Sequence, residues 1–257
     1  MINYWGYEVI KCQIGFINSI NKGIFIAGII IGIWLISLIL LLSLDISHTN
    51  TVLIGLAMFW QTFLYTGLFI TAHDAMHGTV FPQNLKLNHF IGKISLLLYG
   101  LLSYEKMLIK HLLHHKYPGS NSDPDYYDRP QQNGFLWYLN FLKSYWQWRQ
   151  IIGLTILFQA TKHLTGIPQN NLILFWSLPA VLSSIQLFYF GTFLPHKKPE
   201  NGHTNIHCTQ SIAMPIFWSF ITCYHFGYHQ EHHENPHIPW WKLPEVYQQA
   251  RIENQYP

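Results

Sequence analysis

Three short histidine boxes set the tightest limit on how this chain can fold: His73-Asp-Ala-Met-His77, His111-Leu-Leu-His114-His115 and His229-Gln-Glu-His232-His233. Within each box, imidazoles recur three or four residues apart, the spacing that puts side chains on one face of a helix. Neutral imidazole is the commonest protein ligand for iron, zinc and copper. The eight box histidines exceed what one four-coordinate ion can use. The pattern therefore predicts two ions, and three separated segments have to meet to hold them. A lone HxxxH would say little. A doublet that occurs twice, each time with a third histidine three residues upstream, is specific. The third box lies in the densest stretch, His225 to Pro244, with five histidines in thirteen residues; on a continuous helix His225 would join the face of His229. The other histidines, His48, His89, His163, His203, His207 and His237, follow no pattern and read as interfacial, structural or solvent-facing.

The sequence around the boxes is apolar. The chain is 11% charged, 16% aromatic and 49% hydrophobic, a profile of membrane proteins. Ile24 to Leu44 is an uninterrupted apolar run about as long as a bilayer core requires, too long for a signal-peptide core, and reads as a retained anchor. Val52 to Ala72 returns and delivers the first box; Gln61, its strongly polar interruption, is expected to face another helix. Phe90 to Leu102 is short and reads as a re-entrant or interfacial helix, which keeps the second box on the side of the first. Tyr117 to Asn133 has the Pro, Gly, Asn and Asp of a loop. Leu136 to Trp148, rich in interfacial aromatics, and Gln150 to Ala160 together supply one tilted crossing. Leu172 to Leu194 is a further span ending at Pro195-His196-Lys197-Lys198, and the short Ile212 to Tyr224 runs directly into the third box.

The expected fold is therefore all-α: an integral-membrane helical bundle of four transmembrane helices plus interfacial or re-entrant helices, one domain over residues 1–257 with 1–22 as an N-terminal tail. With both termini cytoplasmic, this topology leaves Lys162 as the one outer cation among fifteen lysines and arginines, as the positive-inside rule asks. The same topology puts all three boxes in a cytoplasmic-side histidine cap. The net charge of +3 is not gathered into a basic patch, which argues against nucleic acid as a partner. Cys12, Cys208 and Cys223 form no CxxC pair and imply no oxidising compartment. The rival from a different class is a non-catalytic metal-binding membrane protein or transporter, but a transporter should carry its ionisable groups near the bilayer midplane rather than at helix ends on one side.

Beyond spacing, the residues around the boxes resemble a known family. HDAMHG at the first box, HHKYPGSNSDPD after the second, FGTFLPH at 190–196 and CYHFGYHQEHHENPHIPWWKLP at 223–244 resemble the membrane-bound fatty acid desaturase and hydroxylase superfamily, and within it the bacterial-type β-carotene ketolases. The resemblance implies two non-haem irons held by His73, His77, His111, His114, His115, His229, His232 and His233. His225, and His196 if it is not simply an interfacial histidine beside Lys197 and Lys198, are the further ligand candidates. Asp74, Asp123 and Asp125 can accept imidazole N–H bonds, and the last two also suit a turn. Trp240 and Trp241 either line a substrate mouth or anchor the chain at the interface. The activity implied is O2-dependent oxidation of ring carbon 4 of β-carotene by two hydroxylations and loss of water, giving echinenone and then canthaxanthin. Electrons would come from a ferredoxin-type donor. Carotenoid ring hydroxylation and acyl-lipid desaturation are the alternatives at the same di-iron site.

Overall fold

Backbone in hydrocarbon has to satisfy its own hydrogen bonds, and helices do so. In the computed structural model every regular element among the described residues is helical. Residues 4–127 and 133–255 are described, with side chains for 22–127 and 133–252; residues 1–3 of the expected tail and 128–132 of the expected loop lie outside them. Helix α1 is Tyr4–Leu42, α2 Thr51–Met76, α3 Leu85–Gly100, α4 Tyr104–Lys116, α5 Gly134–Tyr145 and α6 Trp148–Thr165. Helix α7 is the continuous Gln169–His196, with π-helical turns at Ile173–Ser177 and Tyr189–Phe193. Then come α8, Ile216–Cys223, α9, His229–Glu234, a 3-10 turn at Trp240–Lys242, and α10, Leu243–Gln255.

Among the described residues, three segments are long and apolar enough to cross a membrane: Lys22–Leu42 within α1, all of α2 and all of α7. On α1 the apolar side chains of Phe25, Ile36 and Leu40 point outward, each at least 60% exposed, a surface that suits lipid and not water. Helix α2 is central, and from Gln61 to Met76 every residue except Phe69 is buried. Several polar side chains between helices are paired. Gln61 accepts from Ser37 of α1 at 2.9 Å, so it does face another helix. Thr66 lies 2.9 Å from Ser183 Oγ and 2.6 Å from Gln186 Oε1, tying α2 to α7. The carbonyls left free where α1 ends are met by Asn171 Nδ2, which reaches Leu44 O at 2.7 Å.

Both α2 and α7 run toward the histidines, so the chain has to travel back between His77 and Gln169. The α3–α4 pair does not make that journey. Asn84 caps the start of α3, Leu101 ends it in the left-handed conformation (φ 55°), and Ser103 caps α4, which returns to the boxes. The second box is thereby brought back beside the first, as expected. The return is made by α5 and α6: Trp137 packs on Phe193 at the histidine end of α7 (5.6 Å), and Phe158 stacks on Trp176 at the other end (6.3 Å). What reads in sequence as one tilted crossing is thus two helices, broken where Trp146 and Gln147 are both extended.

The 212–227 segment dips in beside α2 and comes out again. Ile212 N–H donates to Gly227 O at 2.8 Å across its base, while Tyr224 stacks on Phe63 at 4.4 Å and Phe220 meets the same ring edge-on at 5.3 Å. The reversal is made by Tyr224 (φ 48°) and His225 (φ 63°), both in the left-handed region, after which α9 begins at His229.

Candidate metal centre

Helix geometry sorts the histidines into two groups. His73, His77, His111, His115 and His232 form one, and His114, His196, His229 and His233 the other; within each, the nearest ring nitrogens all lie within 4.8 Å of one another. Pairs four residues apart share a group: 73 with 77, 111 with 115, 229 with 233. Adjacent residues on a helix diverge by about 100°, so the doublets 114–115 and 232–233 each send one imidazole into either group. The two groups abut, with the His115 and His233 rings stacked 4.2 Å apart. All eight box histidines and His196 are therefore brought together from α2, α4, α7 and α9.

The ring nitrogens converge as if around a cation. His77 Nε2 is 2.6 Å from His111 Nε2, His232 Nε2 is 3.1 Å from His115 Nε2, and His233 Nε2 is 3.1 Å from both His114 Nε2 and His229 Nε2. One ring N–H cannot serve two such neighbours. Nitrogens about 2.1 Å from a shared ion would stand roughly 3.0–3.4 Å apart, close to most of these separations. Neither nitrogen of His73 has a hydrogen-bond partner, nor has His196 Nε2, although all three are buried. Buried polar atoms without partners are costly, and a metal ion would satisfy one nitrogen of each ring.

Electrostatics point the same way. Burial, compounded by neighbouring imidazoles, holds His111, His229, His232 and His233 well below the usual range, and takes His115 to about 2. Burial, with His114 nearby, takes His77 to about 4. The rings are accordingly neutral near pH 7 and keep a lone pair for a ligand bond. His114 behaves differently. Burial opposes its charge too, but its hydrogen bond to Asp123 and the nearby carboxylates raise it.

Two of these rings are oriented by groups that can only accept, which fixes Nδ1 as the donor. His114 Nδ1 donates to Asp123 Oδ1 at 2.9 Å, and His196 Nδ1 to Cys208 O at 3.0 Å. Asp123 is also the turn residue expected, since its carboxylate accepts the N–H groups of Gly119 and Asp125, each at 2.9 Å. Asp125 Oδ2 stands 3.9 Å from His114 Nδ1, and this carboxylate accepts a short hydrogen bond from the Tyr145 hydroxyl. Asp74 is 3.5 Å from His73 Nδ1 and accepts the Trp240 N–H at 3.1 Å, so it pins the segment after α9 to the end of α2.

Two expected placements fail. His225 is in neither group: its Nδ1 lies 3.2 Å from Ser219 Oγ and its ring packs between Phe220 and Tyr228. The i,i+4 relation to His229 needs a helix, and the left-handed pair Tyr224–His225 replaces it with a reversal. Trp240 and Trp241 do not line the substrate-sized cavity. Trp240 is buried against Phe220 and Tyr224 instead.

That cavity, about 650 Å³, opens from the two histidine groups, with His73, His111, His114 and His229 at one end and Phe158 and Trp176 at the other. Its wall follows α7 from Thr192 to Trp176, about 24 Å at 1.5 Å per residue. Seven helices contribute to it, mostly with apolar side chains, so no single stretch of sequence announces it.

The family model for fatty acid desaturase matches residues 49–170 and 144–257. A beta-carotene ketolase of Paracoccus sp. (strain PC1) is 38% identical over 213 residues, covering 82% of this chain and 86% of that protein. Another beta-carotene ketolase, from Paracoccus sp. (strain N81106 / MBIC 01143), is 40% identical over 184 residues, 71% of this chain and 74% of its own. A zeaxanthin 4-ketolase of Chlamydomonas reinhardtii is 38% identical over 224 residues, 86% of this chain but 50% of that longer protein.

Proposed function

The chain belongs to the fatty acid desaturase family and is a relative of the beta-carotene ketolases, and from that premise we propose that it is a β-carotene 4-ketolase acting as a single domain. It is an oxidoreductase that converts ring carbon 4 of β-carotene to a ketone by two successive hydroxylations and loss of water, giving echinenone and then canthaxanthin. The observation that carries this is the juxtaposition of nine imidazoles in two groups with one end of a long apolar cavity.

Iron is the metal we assign, one ion to each group, with His73, His77, His111, His115 and His232 for the first and His114, His196, His229 and His233 for the second. When bound, the pair supplies O2-dependent oxidation of an allylic carbon–hydrogen bond. The chain's own residues do the rest. The cavity takes the polyene lengthwise and keeps water from the ring, while Asp123 and the Cys208 carbonyl hold a proton on Nδ1 of His114 and His196, leaving Nε2 free for the metal. Exposed Ile151 and Val181 on the cavity wall support sideways entry from the bilayer. The electrons come from a ferredoxin-type donor.

Helices α5 and α6 together serve as the fourth crossing, supported by their contacts at opposite ends of α7. The histidine end and both termini are assigned to the cytoplasmic side, because among the described residues Lys162 is the one lysine or arginine near the other end, where its Nζ meets Gln169.

Pigment analysis of cells that make β-carotene and this protein tests the reading. Echinenone and canthaxanthin are expected; 3-hydroxylated rings or altered acyl chains without ketones would reassign the activity. Asp123→Ala is expected to lower iron affinity or turnover by about 10–100-fold, the usual cost of removing a carboxylate that orients a ligand imidazole. Iron content of the purified variant, measured against the parent, checks it.

A further inference from the structure

Where the cavity meets the histidines, its wall carries one carboxylate, Asp125. Its neighbour Asp123 is spent on His114 and two backbone N–H groups, but Asp125 is not. One oxygen, Oδ1, takes the Tyr145 hydroxyl, and the other, Oδ2, has no hydrogen bond among the described residues; His114 Nδ1, 3.9 Å from it, already donates to Asp123. The pair is held in place. Trp137 Nε1 donates to the Asp125 carbonyl at 2.7 Å, and Lys110 Nζ lies over the Tyr145 ring at 4.9 Å. Both Asp125 and Tyr145 line the cavity beside His111 and His114.

A carboxylate oxygen with a spare lone pair, facing an otherwise apolar space, gains from a ligand that brings a hydroxyl donor. A β-carotene ring brings none. The same ring after one oxygenation brings the 4-hydroxyl, at the end of the cavity that His111 and His114 also line. We propose that Asp125, steadied by Tyr145, is a subsite for a ring hydroxyl that retains the 4-hydroxy intermediate for its second oxidation, and so sets the partition between alcohol and ketone. This rests on the ketolase reading above. The retention is a hydrogen bond from the alcohol O–H to Asp125 Oδ2; no bond of the substrate is made or broken by the pair. Tyr145 is here a positioning residue, since it acts through Asp125.

The test uses full-length Asp125→Asn and Tyr145→Phe in cells making β-carotene, with the molar ratio of 4-hydroxy to 4-keto rings as the readout and iron per chain as the accompanying measurement. Both changes keep side-chain shape. The ratio is expected to rise about tenfold in Asp125→Asn, the loss of roughly one charge-assisted hydrogen bond, and less in Tyr145→Phe. Supplied 4-hydroxy-β-carotene should show a larger rise in KM in the variants than β-carotene does. An unchanged ratio overturns the proposal, as does loss of iron or of all product in both variants, because a group that only retains the alcohol is needed for neither metal nor first oxidation. An arm with a 3-hydroxylated carotenoid separates the two hydroxyl sources: an effect confined to it would assign the subsite to a hydroxyl already on the substrate and overturn the retention role. If the parent chain itself made no ketone, the ketolase reading would fail, a result distinct from all of these.

Discussion

Replacing His232 by alanine is expected to abolish keto-carotenoid formation, by about a thousandfold or more, while the protein still inserts in the membrane at normal level. His232 is one of five imidazoles in the first group and the one contributed by α9; its ring lies 4.6 Å from that of His73, and its Nε2 3.1 Å from that of His115. Truncation leaves those neighbours facing each other with one ligand fewer, and it touches none of the three segments long enough to span. Iron per chain should fall along with activity. The paired control is His225→Ala, which by the geometry of the reversal should keep its iron, since His225 is in neither group. Near-normal ketone output from His232→Ala would overturn its assignment, and iron loss in His225→Ala would reopen that of His225.

The contrast between these two histidines shows what the sequence could carry. Spacing of three and four is informative only where the backbone is helical, and inside the boxes it is. That two ions would be held was readable from the count of box histidines; which imidazole joins which group was not, and the divergence of 114 from 115 and of 232 from 233 supplies it. His225 obeyed the same spacing and failed, because two left-handed residues in succession, neither of them glycine, leave no compositional trace. His196 has no spacing partner and was visible only through resemblance. Its placement depends on α7 running unbroken to its end, with Cys208 O turning the ring.

The membrane segments follow the same division. The spans of α1, α2 and α7 were legible from hydropathy, within a few residues at each end. The fourth apolar stretch was legible as apolar, but its break at Trp146 and Gln147 lies among aromatics that suit an interface as well as a helix. The cavity is a product of tertiary packing: Phe69, Tyr99, Phe158 and Ala180 come from four helices, and their one common property in sequence is being apolar or nearly so. Trp240 and Trp241 suited a substrate mouth or an interfacial anchor equally by sequence, yet the Trp240 N–H is committed to Asp74 and its ring to the core.

Ala180→Trp is expected to remove ketone formation from β-carotene by about 100-fold or more with iron content unchanged, the opposite pairing to that of His232→Ala. Ala180 lines the cavity on α7, twelve residues from Thr192 at the histidine end, which is about 18 Å along the helix. An indole there projects into existing space, so the overpacking that penalises large residues in a filled core is limited, and the helix-propensity cost is under about 1 kcal/mol. A rigid polyene with its ring at the metals has to pass this point, whereas a ring-bearing analogue shorter than about 18 Å does not. The variant should therefore still oxidise such a truncated substrate at close to the parent rate. Were β-carotene converted normally by Ala180→Trp, the polyene could not lie along α7. Were the short analogue lost as well, the indole would be acting on the metal end and not on the passage. Measuring both substrates on one iron-loaded preparation separates what the histidines do from what the cavity does, a division that the loss of a ligand alone cannot make.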